Sequence, residues 1–213
     1  QQPARLFPYY RDMVERQGER KVHPSDLMPL DLSTLPELPA PEGSGEADIA
    51  ACRSRFEKAL LPYLKAEDDA GRQIHAADLV AAIAPIGAAQ EDVRARLFWQ
   101  AMHAFATVVA DGQVESDLYI KQLFGQINLQ LRRLAKGEHD EPEAMLRDAL
   151  FFIAAAREPG LEARALRQAL GLDGAVPPDY AERRYGKLDP QALQEAREAL
   201  ARTKSDWDRI AGE

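Results

Sequence analysis

The chain contains a single cysteine, Cys52, which excludes an intramolecular disulfide and leaves no second thiol for a metal cluster. Runs of β-branched residues are nearly absent, while Ala, Leu, Glu, Arg and Gln dominate, a balance that disfavours sheet and favours helix. No apolar stretch approaches the ~20 residues of a membrane span, and no signal-peptide pattern opens the chain. Basic residues are outnumbered, 27 to 35, for a formal net charge of −8. An acidic chain repels phosphate backbones, so nucleic acid is an unfavourable partner. These absences leave an all-α protein, expected in the cytoplasm, that needs no disulfide or metal to hold a core of this size. The opening Gln-Gln-Pro and the helical pattern running into Gly212-Glu213 read as a fragment cut from a longer protein.

What remains is organised around residues 90–157. Three helical patterns follow one another there: QEDVRARLFWQAMHAFATVVADG, VESDLYIKQLFGQINLQLRRLAKG and EPEAMLRDALFFIAAAREPG. Their two short links each carry a glycine, Gly112 and Gly137, and short links favour antiparallel neighbours. The first helix places Val93, Leu97, Ala101, Phe105 and Val108 on one face, with Phe98, Met102 and Val109 beside it. In the second, Ile120, Leu123, Phe124, Ile127, Leu131 and Leu134 fall at nearly heptad spacing, interrupted by Gly125. A mid-helix glycine costs about 1 kcal/mol relative to alanine, which a close helix crossing would explain. The third buries Leu146, Ala149, Leu150 and Ile153, with Phe151 and Phe152 widening its face.

Upstream, residues 4–17 predict a short helix starting near Phe7, with Leu6, Tyr9, Tyr10, Met13 and Val14 toward the core and Gly18 as its cap. Five prolines between Pro24 and Pro41 make the next segment irregular, and its spaced leucines suit a strap along the bundle surface. A helix follows from Asp48 to Lys65, kinked or ended early by Pro62, and a shorter one over residues 76–84, broken by Pro85 and Gly87. After Gly160 come a short helix capped by Gly171, an irregular stretch, and a final helix from Asp189 to Ile210. The resulting expectation is an antiparallel four-helix bundle over residues 48–66 and 90–157 with shorter helices around it. Its boundaries are an N-terminal segment 1–47, a bundle 48–172 and a C-terminal segment 173–213.

Candidate chemistry is sparse. His23, in His-Pro-Ser-Asp, suits a turn and helix cap; His75 precedes a helix; His139 sits in the acidic loop Glu138 to Glu141. His103, on a long bundle helix, is the residue that could carry phosphate. A phosphotransfer histidine is usually followed three positions on by a lysine, for the phosphate charge, and then by a glycine for access. Here those positions hold Ala106 and Thr107. No His-x-x-x-His or Glu-x-x-His pair suggests a metal, and there is no nucleotide-binding glycine loop or nucleophile elbow. Asp68-Asp69 and the run Glu138 to Glu141 read as solvated loop charges, and Arg132, Arg133 and Lys136 as a cationic last helical turn that complements the helix dipole. Arg183-Arg184, beside Tyr180 and Tyr185, could meet an acidic partner or simply pack at the surface.

The wording of the central helices, RLFWQAMHAFATVVADG, IKQLFGQINLQLRRLAKG and MLRDALFFIAAA, resembles a known family. It is the N-terminal histidine-phosphotransfer-like (Hpt-like) region of the large chemotaxis-type histidine kinases of type IV pilus systems (ChpA/PilL-like). The wording is also similar to the related FimL scaffold family. Upstream, LFPYYRDMVERQGERKVHPSDL looks like the segment that precedes this bundle there. The resemblance implies a degenerate phosphotransfer bundle without catalytic residues or cofactor. Its role would be protein–protein contact with a response-regulator receiver domain or a polar scaffold protein, in twitching-motility signalling. The alternative is an active phosphocarrier using His103.

Overall fold

The computed structural model describes residues 6–16, 22–32, 45–178 and 180. The final helix expected from Asp189, the Gly18 cap, the middle of the proline-rich segment, and Arg183, Arg184 and Tyr185 lie outside the described residues. Among the described residues there is no strand. The described residues form seven α-helices, α1 (Phe7–Arg16), α2 (Ile49–Lys65), α3 (Asp69–Ala88), α4 (Val93–Ala110), α5 (Leu118–Leu134), α6 (Glu143–Ala155) and α7 (Leu161–Ala169), with a 3₁₀ turn at Pro24–Leu27. None of them is long and apolar enough to cross a membrane.

Aspartate sets most of the helix starts. Asp48, Asp68, Asp92 and Asp117 each stand just before a helix and accept backbone N–H bonds of its first turn. Each side chain satisfies a donor that the helix leaves open and places a negative charge at the positive dipole end. Asp68 is therefore a cap, and Asp69 pairs with Arg72 at 2.6 Å, which gives two of the expected loop charges a structural use. Glycine ends α4 and α5. Gly112 and Gly137 have φ of +66° and +79°, and the amides just beyond them, Gln113 and Glu138, donate back to Val108 and Arg133 carbonyls. The left-handed conformation turns the chain sharply enough to close those bonds, and a side chain there would strain it.

α3 departs from the expected short helix. It runs for 20 residues through Pro85 and Gly87, and α2 likewise continues past Pro62 to Lys65. Both prolines fall in the last turns. The carbonyls they leave unpaired, on Lys58 and Ala81, belong to exposed residues and can turn to water, so neither helix breaks. α3 thereby joins the four helices expected. Neighbours run α2–α3–α4–α6–α5 and back to α2, with α7 against α4 and α6. α5 lies along α2 and α6, and reaches α4 through Phe124 against Phe105, ring centroids 5.0 Å apart.

α4 is buried nearly all round. Leu97 to Met102 are each 5% exposed or less, and Phe105 is fully enclosed. A helix apolar on every side belongs in the centre of a bundle. Phe56, Tyr63, Phe105, Phe124 and Phe152 interlock beside it as tilted or edge-to-face rings. Two side-chain placements differ from the periodicity reading. Val93 is 53% exposed, because it sits in the first turn of α4. α1 turns Phe7 inward, with Tyr10 partly buried, and leaves Leu6, Tyr9 and Met13 exposed. Both stripes of α1 have helical spacing; the one carrying Phe7 wins by placing its ring edge-on to Tyr119 at 6.3 Å.

Candidate functional site

The four histidines fall in four different settings, and the structure brings none of them together. His103 lies on α4 where α7 packs across it. Its Nδ1 is 2.6 Å from Oε2 of Glu162 on α7, with the two side chains 26% and 36% exposed. A carboxylate on Nδ1 fixes the ring and leaves Nε2 as the nitrogen for any further chemistry. The residues that should assist a phosphoryl group do not. Ala106 is fully buried, and Thr107 turns its Oγ1 back to donate to the carbonyl of His103 at 2.9 Å. The charged partner seen at the ring is thus an anion, which would oppose the negative charge of a phosphoryl group.

His23 has the more elaborate surroundings. It caps the 3₁₀ turn as a reciprocal capping box: Ser25 N–H donates to its Nδ1, and its own N–H donates to Asp26 Oδ2 at 3.2 Å. Ser25 Oγ donates to Asp148 Oδ1 at 2.5 Å, and the same carboxylate oxygen lies 3.0 Å from His23 Nδ1. Tyr119, Phe151 and Phe152 meet the imidazole edge-to-face at centroid distances of 5.0–5.9 Å. Nε2 is buried among these rings with no hydrogen-bond partner. His, Ser and Asp here do not form a hydrolytic relay. Ser25 is 1% exposed and its hydroxyl donates to the carboxylate, so it meets no substrate. The cluster fastens residues 22–32 to α6, helped by Arg147 donating to the Met28 carbonyl at 3.3 Å. The cap role was readable from His-Pro-Ser-Asp; the partner Asp148, 123 residues from Ser25, was not.

The other candidates have plain environments. His75 lies 3.9 Å from Asp78 one turn on. His139 lines a shallow notch of about 190 Å³ with Arg94 and Glu143. Cys52 is 1% exposed, and burial raises its thiol above the usual range, which keeps it protonated and unreactive. A larger cleft of about 460 Å³ lies between α3 and the α4–α5 link. Its charges are compensated: Arg72 donates to Asp69 and to the carbonyls of Ala66 and Glu67, and Arg157 lies 4.0 Å from Glu115. Ser116, on its wall, is bonded to the Tyr63 hydroxyl at 2.9 Å. Among the described residues no group of three or more His, Cys, Asp or Glu side chains is placed to hold a metal ion. Tyr180 is 9% exposed and packs edge-on against Phe151.

Arg132 and Arg133 do more than complete a helix dipole. Arg132 Nε donates to Glu57 Oε1 of α2 at 2.9 Å, and Arg53 donates to the same oxygen at 3.2 Å. Bonds from Arg132 and Arg53 hold the Glu57 carboxyl below its usual range. Arg133 reaches toward Asp140 at 3.9 Å, beyond the end of α5.

No curated protein and no solved structure matches the chain. A family does: residues 41–183, from just before α2 to just beyond α7, match the second domain of the FimL scaffold protein. That match spans more than half of the sequence, and the chain belongs to the FimL scaffold family.

Proposed function

We propose that this domain is a non-catalytic docking module of a type IV pilus chemosensory system, an Hpt-like bundle that binds partner proteins without carrying phosphate. Membership in a scaffold family supports protein partners. The observation that carries the finer reading is the state of His103. Its Nδ1 is committed to Glu162, and neither Ala106 nor Thr107 supplies the cation or the clearance a phosphoryl group needs. A response-regulator receiver domain or a polar scaffold protein is the partner class that fits, in the cytoplasm, within twitching-motility signalling. The FimL match favours a scaffold over the N-terminal region of a pilus histidine kinase.

One observation favours a phosphocarrier instead: the carboxylate on Nδ1 orients the ring and leaves Nε2 for attack. Incubation with a phosphorylated receiver domain from a pilus system separates the two, with His103→Gln alongside. Binding of the receiver without acid-labile label is the expected result. Label that appears and vanishes in His103→Gln overturns the docking reading.

A further inference from the structure

We infer that the outer face of α2 and α5 is a docking surface for an acidic, amphipathic helical segment of a partner protein. The inference deepens the docking reading by naming the face and the chemistry of what it takes. Charge is the first observation. α2 and α5 together hold seven of the chain's 27 basic residues and one of its 35 acidic ones. The remainder of the chain therefore stands at a formal −14. Asp48 and Asp117, at the two helix starts, are occupied as caps. The one acid within these helices, Glu57, is clamped by Arg53 and Arg132. Arg55, Lys58, Lys65 and Arg132 are exposed.

Shape is the second observation, and it is independent of charge. α2 and α5 run antiparallel, pinned by Glu57–Arg132 at the middle of α2 and by Tyr63–Phe124 in its last turn. Between those pins stand Leu61 and Leu129, 56% and 57% exposed, and a turn away from Leu129 is Gly125. A methyl group added to Gly125 would meet no atom within 4 Å, so no close crossing inside the molecule explains the glycine. The expected contact is absent, and what remains is a shallow dip in a basic face, flanked by leucines. A dip without a side chain lets another backbone approach closely, and exposed leucines within a cationic field suit the apolar stripe and acidic flanks of a helix. A nucleic-acid backbone would offer charge without apolar anchors, and the strongly negative remainder of the chain would repel it.

Fluorescence anisotropy tests this with a labelled helical peptide that has leucines at i, i+3, i+4 and i+7 and glutamates flanking them. Its counterpart replaces every glutamate with glutamine. The triple variant Lys58→Glu/Lys65→Glu/Lys121→Glu changes two exposed lysines and one half-buried one, and circular dichroism checks that it stays helical. The expected result is at least tenfold tighter binding of the acidic peptide than of the glutamine peptide. That advantage is lost in the triple variant, and binding weakens at least threefold in Gly125→Gln, which fills the dip and remains a good helix former. Equal binding of the two peptides, unchanged affinity in either variant, or equally tight binding of duplex DNA overturns the inference. So does a wild-type dimer that dissociates in the triple variant, because the face would then be taken by a second copy. A receiver-domain titration runs in parallel. A receiver that binds wild type and triple variant alike, while the peptide fails, sinks the face but leaves the docking reading. A peptide that binds as expected beside a receiver that does not bind keeps the face and removes the receiver as its partner.

Discussion

His23 beside Asp148 and His103 beside Glu162 are the same chemical pair set at two depths. The first is 15% and 16% exposed, backed by Ser25 and enclosed by three aromatic rings. The second is 26% and 36% exposed and spans the seam between α4 and α7 with a shorter contact, 2.6 Å against 3.0 Å. Distance alone would rank the second pair higher. Burial reverses that order, because water screens the outer pair and can replace either partner once the other is removed. Inside, a group that loses its partner has no substitute, and the full cost of its desolvation appears. The deeper pair is architecture, tying residues 22–32 to α6, while the shallower one restrains a side chain.

That contrast can be broken by measurement. Asp148→Ala leaves the Ser25 hydroxyl inside without its acceptor, and about 1–3 kcal/mol of stability should be lost in urea unfolding. A loss no larger than that of His103→Gln would overturn the ranking by depth. Tyr63→Phe is an intermediate case, removing the bond to Ser116 and costing about 1 kcal/mol. It also tests pH dependence. Burial raises the Tyr63 phenol above its usual 10.0, opposed by the Ser116 bond. The unfolded phenol then releases its proton first, so stability is intact below pH 10 and falls as pH climbs toward the folded value. Tyr63→Phe should flatten that alkaline fall, leaving the part due to Tyr119, whose phenol burial also raises. Gly125→Ala, on the open side of α5, should add up to about 1 kcal/mol, as expected where no packing opposes a methyl group. His103→Gln and Glu162→Gln should each shift stability by less than about 0.5 kcal/mol, less still at high salt.

Much of this was legible in the sequence where periodicity and punctuation agreed. α4, α5 and α6 lie within the stretches their apolar spacing marked, and Gly112 and Gly137 end helices where they were expected to. Periodicity failed where two faces were equally plausible, as on α1, since spacing does not say which stripe meets Tyr119. It also failed where a breaker residue sat near a helix end. Pro85 and Gly87 lose few hydrogen bonds in the last turns of α3, so a helix read as short became a full wall of the bundle. At the candidate sites, the chain-local part was visible: the His23 cap, and the missing cation after His103. Asp148 stands 123 residues from Ser25 and Glu162 59 from His103, on other helices, and no local pattern announces them.

The bond from Ser25 to Asp148 has a consequence in time. A ribosome adding about 5–20 residues per second completes α6 roughly 6 to 25 seconds after it has made the strap that α6 holds. During that interval the α2–α3 hairpin can form from contacts near in sequence, whereas His23, Ser25 and Met28 have nothing yet to settle against. The strap thus leaves the ribosome well before the helix that seats it.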